Sequence, residues 1–383
     1  MAFTLAFPKI NISGENAITE LVARIAADDT SGHGLIVADA ALEKLGLLAP
    51  LCEALDQNGL AYTCFTDTIP NPTVAVVDRA YDLYVKSGAN YLIGFGGGSA
   101  IDTAKAVKIL SANPQPITAY TGIGMVKKTG VPLYAINTTA GTAAEVTSNA
   151  VITDEENKVK CVIIDASIIP DISVNDPSIM LGLPADVTAA TGMDALTHAV
   201  EAYVSVGAHT LTNHSAYESV RLISSYLPMA VEDGSNVEAR EMMALGQFLA
   251  GMAFNSAGLG MVHAMAHPGG AYKDLPHGVC NAILLPIVCE FNRPHRVKEF
   301  AKLAVALGCD VSSMDDEQAS KAAVQAIRDL SKRVGIPEGF GQFGVTEQDV
   351  KQWVPSAMAD PCAGGNPVAM TEDDVMALYL ESL

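Results

Sequence analysis

The chain has 383 residues, of which 49% are hydrophobic and 17% are charged, and its formal net charge is −20. This composition can fill large buried cores and is unlike that of an extended disordered protein. The acidic charge argues against nucleic acids and anionic membranes as partners and favours small molecules or other copies of the chain.

The first half of the chain alternates strand-like and helix-like segments. Four apolar runs end in polar or glycine-rich turns: "HGLIVAD" (33–39), "LAYTCF" (60–65), "NYLIGFGGGS" (90–99) and "VPLYAINTT" (131–139). Helical patterns at 74–88 and 100–110 lie between them. The alternation predicts a parallel, doubly wound sheet. In addition, "NAVITDEENKVKCVIID" (149–165) predicts a hairpin that turns at Asp154–Asn157.

The second half of the chain is predicted to be helical. After "LGLP" (181–184) strand-like runs almost vanish, and long helical patterns occupy residues 186–205 and 239–267. A change from mixed to purely helical segments indicates a domain boundary. We therefore expect an α/β domain over residues 1–183 and an all-helical domain over residues 184–383.

Asp39 ends the first of the four strand-like runs. A carboxylate there can accept hydrogen bonds from both ribose hydroxyls of an adenosine and would repel a 2′-phosphate, so the position favours NAD over NADP. The alternative is an N-cap for the following helix. Asp39 precedes the glycine-rich turn, whereas in the usual dinucleotide fingerprint the acid follows it by about twenty residues.

A glycine-rich turn, "GFGGGSAID" (94–102), joins a predicted strand to a predicted helix. Glycines let the backbone approach a phosphate closely, and the N-terminus of the helix offers free N–H groups to an anion. Ser99 is predicted to be the N-cap, with Asp102 three residues further on. A tight turn without a ligand is the alternative.

The next strand ends in a similar way, at "NTTAGTAAE" (137–145). Thr142 and Glu145 have the spacing of a capping box. Thr138 and Thr139 precede it and place two hydroxyls at the carboxyl edge of the sheet, where open parallel sheets bind ligands. Two such turns on successive strands favour a nucleotide site.

A polar stripe follows one face of the helix predicted over residues 186–205. Thr191, Asp194, His198 and Glu201 have the spacing of neighbours on that face. A solvated stripe is the alternative, but the alanines around it leave few exposed charges. Asp194 and His198 therefore resemble one arm of a metal site.

A second group of histidines lies in "GMVHAMAHPGGAYKDLPHGV" (260–279). His263 and His267 are four residues apart, so on a helix they share one face. Pro268 predicts that this helix ends at about that residue. His277 follows in a turn-like segment and is expected to return from a loop.

These residues supply one carboxylate and four imidazoles. A mononuclear catalytic metal site uses three or four protein ligands and an open position, and mixed oxygen and nitrogen donors suit Fe(II), Zn(II) or Mn(II). One imidazole is then left over, and the spacing does not show which; it could relay a proton. The other histidines are interpreted as structural or exposed: His33, His209, His214 and His295.

Cysteine usage and the N-terminal segment bear on location. The seven cysteines are dispersed and include no C-x-x-C pair, which favours a reducing, cytoplasmic location. The segment "MAFTLAFPKI" lacks the basic and long apolar regions of a signal peptide. No apolar run reaches about 18 residues, so no transmembrane helix is expected.

Six long segments resemble one known family: "IPNPT", "GGGSAID", "INTTAGTAAEVT", "TAATGMDALTHAVEAY", "LAGMAFNSAGLGMVHAMAHPGGAYKDLPHGVCNAILLP" and "CAGGNP". With these segments the chain resembles the iron-dependent (group III) alcohol dehydrogenases along its full length. The resemblance implies a dehydroquinate-synthase-like fold, with an α/β NAD-binding domain, an all-α domain and a metal in the cleft between them. It also implies a homodimer.

The resemblance further implies a role for each matching residue. The metal, Fe(II) or else Zn(II) or Mn(II), would be bound by Asp194, His198, His263 and His277. His267 would be the free catalytic imidazole near the nicotinamide. The residues that would contact NAD are Asp39, Asn71, Gly97, Gly98, Ser99, Asp102, Thr138, Thr139, Thr142, Asn149 and Lys160. The residues that would line the substrate pocket are Asn149, Phe254 and Cys362.

The implied reaction is reversible hydride transfer between a nicotinamide and a short-chain primary alcohol or 1,2-diol. The segments "HPGGAY", "AAEVTSNAVITDEE" and "CAGGNP" are similar to family members that act on lactaldehyde and 1,2-propanediol. "HPGG" and "SAID" stand where that group is expected to have "HPLG" and "SPQD". Both differences lie near the expected site and bear on the choice of substrate.

Other functions are compatible with parts of this pattern. A general short-chain dehydrogenase would act on ethanol, butanol, 1,3-propanediol or sulfoacetaldehyde. A dehydroquinate-synthase-like lyase would need several basic residues for its anionic substrate, and those near the motifs are few, chiefly Lys105, Lys160 and Lys273. A glycerol-dehydrogenase-like enzyme should have a different ligand set. A structural, filament-forming subunit would not need the complete set found here.

Overall fold

The computed structural model describes residues 3–28 and 32–383, which form two compact units. One unit consists of residues 6–139 and 143–180. The other consists of residues 140–142 and Leu181–Leu383, together with the N-terminal residues up to Leu5. The N-terminal segment that is predicted not to be a signal peptide begins with Met1 and Ala2, which lie outside the described residues.

The first unit is built on a six-stranded sheet in which every pairing is parallel. Its strand order is β1-β9-β6-β4-β2-β3. These strands are β1 (Ile10–Ser13), β2 (His33–Asp39), β3 (Ala61–Thr68), β4 (Tyr91–Gly96), β6 (Leu133–Asn137) and β9 (Ile172–Asn175). All residues of β4 and β6 are buried, as expected for central strands with both faces covered. The four predicted strands and the parallel sheet are confirmed.

The described residues of this unit include five α-helices: α1 (Ala17–Ala27), α2 (Ala40–Lys44), α3 (Ala49–Gln57), α4 (Val74–Ser87) and α5 (Gly98–Leu110). Local chemistry defines the ends of α4. The Thr73 side chain accepts a hydrogen bond from the Val76 N–H at its start, and Gly88 ends it with φ of 67°. The helices predicted over 74–88 and 100–110 are confirmed as α4 and α5.

A small second sheet follows the order β5-β8-β7, with β5 (Gly122–Ile123), β7 (Asn149–Asp154) and β8 (Val159–Ile164). Strands β7 and β8 pair antiparallel and confirm the predicted hairpin. Asp154 stabilises the turn, because its Oδ1 accepts hydrogen bonds from the N–H groups of Glu156 and Asn157.

The second unit has nine α-helices in its described residues: α6 (Ala185–Val204), α7 (Thr210–Glu232), α8 (Val237–Ala257), α9 (Met261–Lys273), α10 (His277–Asn292), α11 (Val297–Ala306), α12 (Asp316–Arg333), α13 (Glu347–Ala359) and α14 (Glu372–Glu381). Capping boxes begin several of them, for example Thr346 with Asp349 at α13. The predicted all-helical character is confirmed.

The structure corrects three expectations about helix ends. The pattern over 239–267 is two helices, α8 and α9, bent by 104° at a break that includes Gly258 with φ of 74°. Helix α9 does not end at Pro268 but continues to Lys273. His277 does not return from a loop; it is the first residue of α10.

Packing explains why proline does not end α9. Pro268 removes one backbone hydrogen bond, but the surrounding turn is buried, and α9 packs against α10 and α13. A Cβ on Gly269 would lie 3.0 Å from the Cys280 Sγ, which shows how closely α9 and α10 approach.

By length and composition, no single helix in the described ranges could cross a membrane, although the bent pair α8–α9 together could.

Candidate active site

Three neighbouring strands, β6, β4 and β2, end at the same edge of the large sheet and bring most predicted cofactor residues together. The Thr138 N–H donates to the Gly96 carbonyl across 3.1 Å, which joins the turns after β6 and β4. A Cβ on Gly97 would lie 3.0 Å from the Thr139 Oγ1. Glycine at position 97 therefore allows the two turns to lie side by side.

Helix α5 begins two residues earlier than predicted. Its N-cap is Gly97, which offers no side chain, so the prediction of Ser99 as N-cap is wrong. Ser99 lies in the first turn, where its carbonyl accepts a hydrogen bond from the Thr103 Oγ1. The N–H groups of this first turn are therefore not used by a capping side chain and can bind a phosphate.

The predicted capping box of Thr142 and Glu145 is wrong. Residues 144–146 form a 3-10 turn preceded by Ala143 in the left-handed conformation, with no side-chain cap. Glu145 instead points inward and is fully buried, and its Oε1 accepts a hydrogen bond from the Asn175 Nδ2 across 2.9 Å. Thr142 belongs, with residues 140 and 141, to the helical unit.

A chain of buried amides continues from Glu145 to the turn after β6. The Asn175 Oδ1 accepts from the Asn137 Nδ2 across 2.9 Å, and the Asn137 Oδ1 accepts from the Thr139 N–H across 3.2 Å. Buried polar groups with satisfied partners rigidify the backbone they contact. This chain therefore holds the Thr138–Thr139 turn in place.

Asp39 is the N-cap of α2, the alternative considered from the sequence. Its Oδ1 accepts hydrogen bonds from the N–H groups of Ala41 and Leu42, both across 2.9 Å. Its Oδ2 faces the end of β4, since a Cβ on Gly96 would lie 4.0 Å from this oxygen. Capping through one oxygen and ribose recognition through the other are compatible roles.

Lys160 and Asn71, both predicted to contact the cofactor, are hydrogen-bonded to each other. The Lys160 Nζ donates to the Asn71 Oδ1 across 2.8 Å and to the Thr153 Oγ1 across 2.9 Å. The Asn71 backbone has φ of 51°, in the left-handed region that asparagine tolerates well.

Asp102 and Asn149 lie beside a buried lysine that sequence analysis did not place in the site. The Lys105 Nζ donates to the Asn149 carbonyl across 2.6 Å, and the Asp102 Oδ2 accepts from the Val151 N–H across 3.0 Å. Burial raises the pKa of Asp102 to about 6, although Lys105 opposes the shift. Burial also lowers the pKa of Lys105 to about 8.

In the helical unit, the four side chains predicted to bind a metal converge. The Asp194 Oδ1 lies 3.6 Å from the His277 Nε2 and 4.0 Å from the His263 Nε2. The Asp194 Oδ2 lies 3.9 Å from the His198 Nδ1. Helix α6 supplies Asp194 and His198, α9 supplies His263, and α10 supplies His277. The ring of Phe254 stacks on His198, with 4.4 Å between the ring centroids.

The donors in this cluster fit a divalent first-row metal ion. The Nδ1 of His198 is buried and has no hydrogen-bond partner among the described residues. Such a group costs about 1–3 kcal/mol, which a bound cation would offset. Burial lowers the pKa of His198, and that of His263 well below its usual value, so both rings favour the neutral form that binds metals. One carboxylate and three imidazoles suit Fe(II) or Zn(II).

Three polar residues support the cluster, and sequence analysis did not assign them a role in it. The Asn281 Nδ2 donates to the Asp194 Oδ1 across 2.7 Å. Glu201 contacts the His263 Nδ1, and burial raises its pKa against the opposing effect of backbone N–H groups. Asn281 follows His277 by one helical turn, a spacing that could have revealed it. Asp360, described next, has no such local signal.

His267 lies beside the cluster. Its ring stacks on that of His277 at 5.4 Å, and its Nδ1 is 2.7 Å from the Asp360 Oδ2. The other Asp360 oxygen accepts from the Cys362 N–H across 2.8 Å. Burial acts to raise the pKa of Asp360, but His267 and the Cys362 N–H together hold it below its usual value. Burial raises the pKa of the Cys362 thiol.

The predicted substrate residues are divided between the two units. Phe254 and Cys362 both lie in the helical unit, next to His198 and next to Asp360 respectively. Asn149 begins β7 in the α/β unit. Of the three predicted substrate residues, Phe254 and Cys362 therefore lie in the same unit as the imidazoles.

An α/β unit with a nucleotide-type sheet edge, followed by a helical unit with a carboxylate and imidazole cluster, is typical of enzymes that use a nucleotide and a metal ion. Two family models match the chain: "Iron-containing alcohol dehydrogenase" over residues 8–177, and "Fe-containing alcohol dehydrogenase family, C-terminal" over residues 188–383. The chain belongs to the iron-containing alcohol dehydrogenase family and is an alcohol dehydrogenase, an oxidoreductase. This membership confirms the resemblance and favours the dehydrogenase over the lyase.

Individual relatives are similar over nearly the whole chain. It is 43% identical to the lactaldehyde reductase of Escherichia coli (strain K12), over 90% of each chain. It is 40% identical to the NAD-dependent methanol dehydrogenase of Bacillus methanolicus, over 98% of each chain. A solved structure of a 1,3-propanediol oxidoreductase has a TM-score of 0.97 and 38% identity, with 100% of both chains covered. These relatives share the family but differ in the alcohol they are named for.

Proposed function

We propose that the protein catalyses the NAD-dependent, Fe(II)-dependent, reversible oxidation of a short-chain primary alcohol or 1,2-diol to its aldehyde, with lactaldehyde and 1,2-propanediol as the preferred pair. The observation that carries the proposal is the convergence of Asp194, His263 and His277 with the buried Nδ1 of His198, which has no hydrogen-bond partner in the part of the chain that the structure describes. The relatives named for lactaldehyde and for NAD support the substrate class and the cofactor.

The residues of the helical unit would divide the chemistry among them. Asp194, His198, His263 and His277 would hold the metal ion, which acts as a Lewis acid on an alcohol or carbonyl oxygen. His267 would take the alcohol proton during oxidation and return it during aldehyde reduction. Phe254 would exclude water beside His198, which strengthens electrostatic interactions within the site.

The residues of the α/β unit would orient the cofactor, which supplies the hydride chemistry. The first turn of α5 and the Thr138–Thr139 turn would bind the pyrophosphate through N–H and hydroxyl groups. Asp39 would accept hydrogen bonds from the adenosine ribose, and Lys160 would reach the other ribose. The proposed roles of Thr142 and Asn149 rest on the family resemblance.

Asp39→Gly is expected to admit NADPH. Removing the carboxylate removes its repulsion of a 2′-phosphate, so kcat/KM for NADPH should rise by about tenfold or more, equivalent to about 1.4 kcal/mol. Glycine at an N-cap costs only a few tenths of a kcal/mol, so the fold should be kept. The measurement is the ratio of kcat/KM for NADH and NADPH.

Asp39→Asn, which keeps a capping oxygen without the charge, is the matched control for loss of the cap. Unchanged NADH selectivity in both variants would remove Asp39 from the cofactor site.

The proposal is tested by metal reconstitution. The protein is purified without oxygen, stripped of metal, and loaded separately with Fe(II) or Zn(II). NADH oxidation is then followed with lactaldehyde, glycolaldehyde, acetaldehyde and propanal. We expect activity with Fe(II), highest on lactaldehyde. Equal activity on all four aldehydes would replace the proposed substrate pair with a general short-chain specificity, and the absence of metal-dependent NADH oxidation would overturn the proposal.

A further inference from the structure

Helix α9 carries two imidazoles four residues apart, and a buried carboxylate contacts the Nδ1 of each. The Glu201 Oε2 lies 2.6 Å from the His263 Nδ1, and the Asp360 Oδ2 lies 2.7 Å from the His267 Nδ1. Glu201 comes from α6, whereas Asp360 directly follows α13. Two elements distant in sequence thus hold two neighbouring rings in the same way.

Glu201 is held by a second interaction at the start of α9. Its Oε1 accepts a hydrogen bond from the Val262 N–H across 2.7 Å, where the N-cap residue Gly260 offers no side chain. A Cβ on Gly260 would lie 2.9 Å from this oxygen, so glycine is needed for the approach. Both oxygens of Glu201 therefore have defined partners, and a carboxylate at a helix N-terminus is stabilised there.

Asp360 is held in a comparable way. Its second oxygen accepts the Cys362 N–H and so caps the 3-10 turn Pro361–Gly365. The side chain of Asp360 is only 8% exposed, so water competes little for its oxygens. Like Glu201, it offers one oxygen to the backbone and the other to an imidazole.

A neutral imidazole that donates from Nδ1 has an unprotonated Nε2. The His263 Nε2 then faces Asp194, whose Oδ1 lies 4.0 Å away, whereas the His267 ring stacks on that of His277 and lies outside the group of Asp194, His263 and His277. In metal sites, such carboxylate partners set the tautomer and orientation of the ring, and their loss costs about 10–100-fold in metal affinity or activity.

We infer that Glu201 and Asp360 are positioning residues with separate tasks: Glu201 orients His263 and controls metal affinity, and Asp360 orients His267 and controls proton transfer. The inference rests on the proposed function, because it assigns a metal and a proton to this site. It extends that function by naming, for each of the two imidazoles, the carboxylate that orients it.

Two isosteric variants test the separation. In Glu201→Gln, the single amide oxygen can accept from the Val262 N–H or from the His263 Nδ1–H but not from both. We expect the dissociation constant for Co(II) or Zn(II) to rise by about 10–100-fold. It is measured by competition with a chromophoric chelator, with no substrate present, and the Co(II) absorption bands report the changed coordination.

Asp360→Asn is the matched carboxylate-to-amide change at the residue that contacts the other imidazole of α9. We expect its metal dissociation constant to stay within about twofold of wild type, while kcat falls by about 10–100-fold with KM nearly unchanged. Glu218→Gln, on the exposed face of α7, is the control for charge removal and should alter neither quantity. Wild-type metal affinity and Co(II) bands in Glu201→Gln would overturn the inference, as would equal losses of affinity in Glu201→Gln and Asp360→Asn.

Thermal unfolding of the metal-free proteins shows whether Glu201→Gln folds. If it does not, the position of the proton on each imidazole of the wild-type protein still tests the inference. A long-range ¹H–¹⁵N spectrum of the zinc-loaded wild-type protein, with labelled histidine, should show the proton on Nδ1 for His263 and His267. A proton on the Nε2 of His263 would overturn the assignment of Glu201. Metal titrations and this spectrum use no substrate, so failure of the proposed dehydrogenase reaction would be seen separately.

Discussion

His263→Ala is expected to abolish both metal retention and turnover. The His263 side chain is only 1% exposed, and its ring centroid lies 4.5 Å from that of His198 and 5.4 Å from that of His277. Because loss of a residue that merely supports a metal ligand costs about 10–100-fold, loss of a ligand should exceed about 100-fold in metal affinity. Metal content after gel filtration and NADH oxidation in the same samples measure the effect.

The control for His263→Ala is His214→Ala, which removes an exposed imidazole from α7. It should keep the metal and the wild-type rate. Thermal unfolding of the metal-free proteins separates lost ligation from lost packing, since the alanine also leaves a cavity in a buried region. An active, metal-loaded His263→Ala protein would refute the ligand assignment.

His267→Ala is expected to keep the metal but to slow catalysis. The ring lies beside the ligand cluster and is hydrogen-bonded to Asp360, so it is placed to move a proton rather than to complete the metal site. Removal of a general acid or base costs about 10²–10⁴-fold in rate. The measurement is kcat in both directions, together with metal content.

Added imidazole provides a second test of the His267 assignment. A small exogenous base that enters the space left by the ring should restore part of the lost rate in His267→Ala, and it should not restore His263→Ala, which lacks the metal. Complete loss of metal from His267→Ala would make His267 a ligand instead, and an unchanged rate would remove it from proton transfer.

Spacing along helices predicted much of the candidate site. Asp194 and His198, and likewise His263 and His267, are each four residues apart, which places each pair on one face of a helix whatever surrounds it. With His277 from the following segment, five candidate donors could be named, but the spacing could not rank them. The structure separates His267 from the other four, because its ring is hydrogen-bonded to Asp360, a residue 93 positions away in the chain.

Local rules failed where packing decided the outcome. Pro268 has a poor propensity for a helix interior, yet α9 continues because the turn is buried against α10 and α13. The spacing of Thr142 and Glu145 is that of a capping box, yet Glu145 turns inward to Asn175. In both cases tertiary contacts outweigh a local preference of about 1–3 kcal/mol.

The sequence by itself determined the class of fold, since alternating apolar runs and helical patterns leave few topologies for a parallel sheet and its following helices. It also determined the chemical types of the donors and the family to which the chain belongs. Only the tertiary structure decided which side chains face each other, because Glu201 and Asp360 reach the imidazoles of α9 from segments that are distant in the chain. Contacts of that kind depend on packing, and no local spacing encodes them.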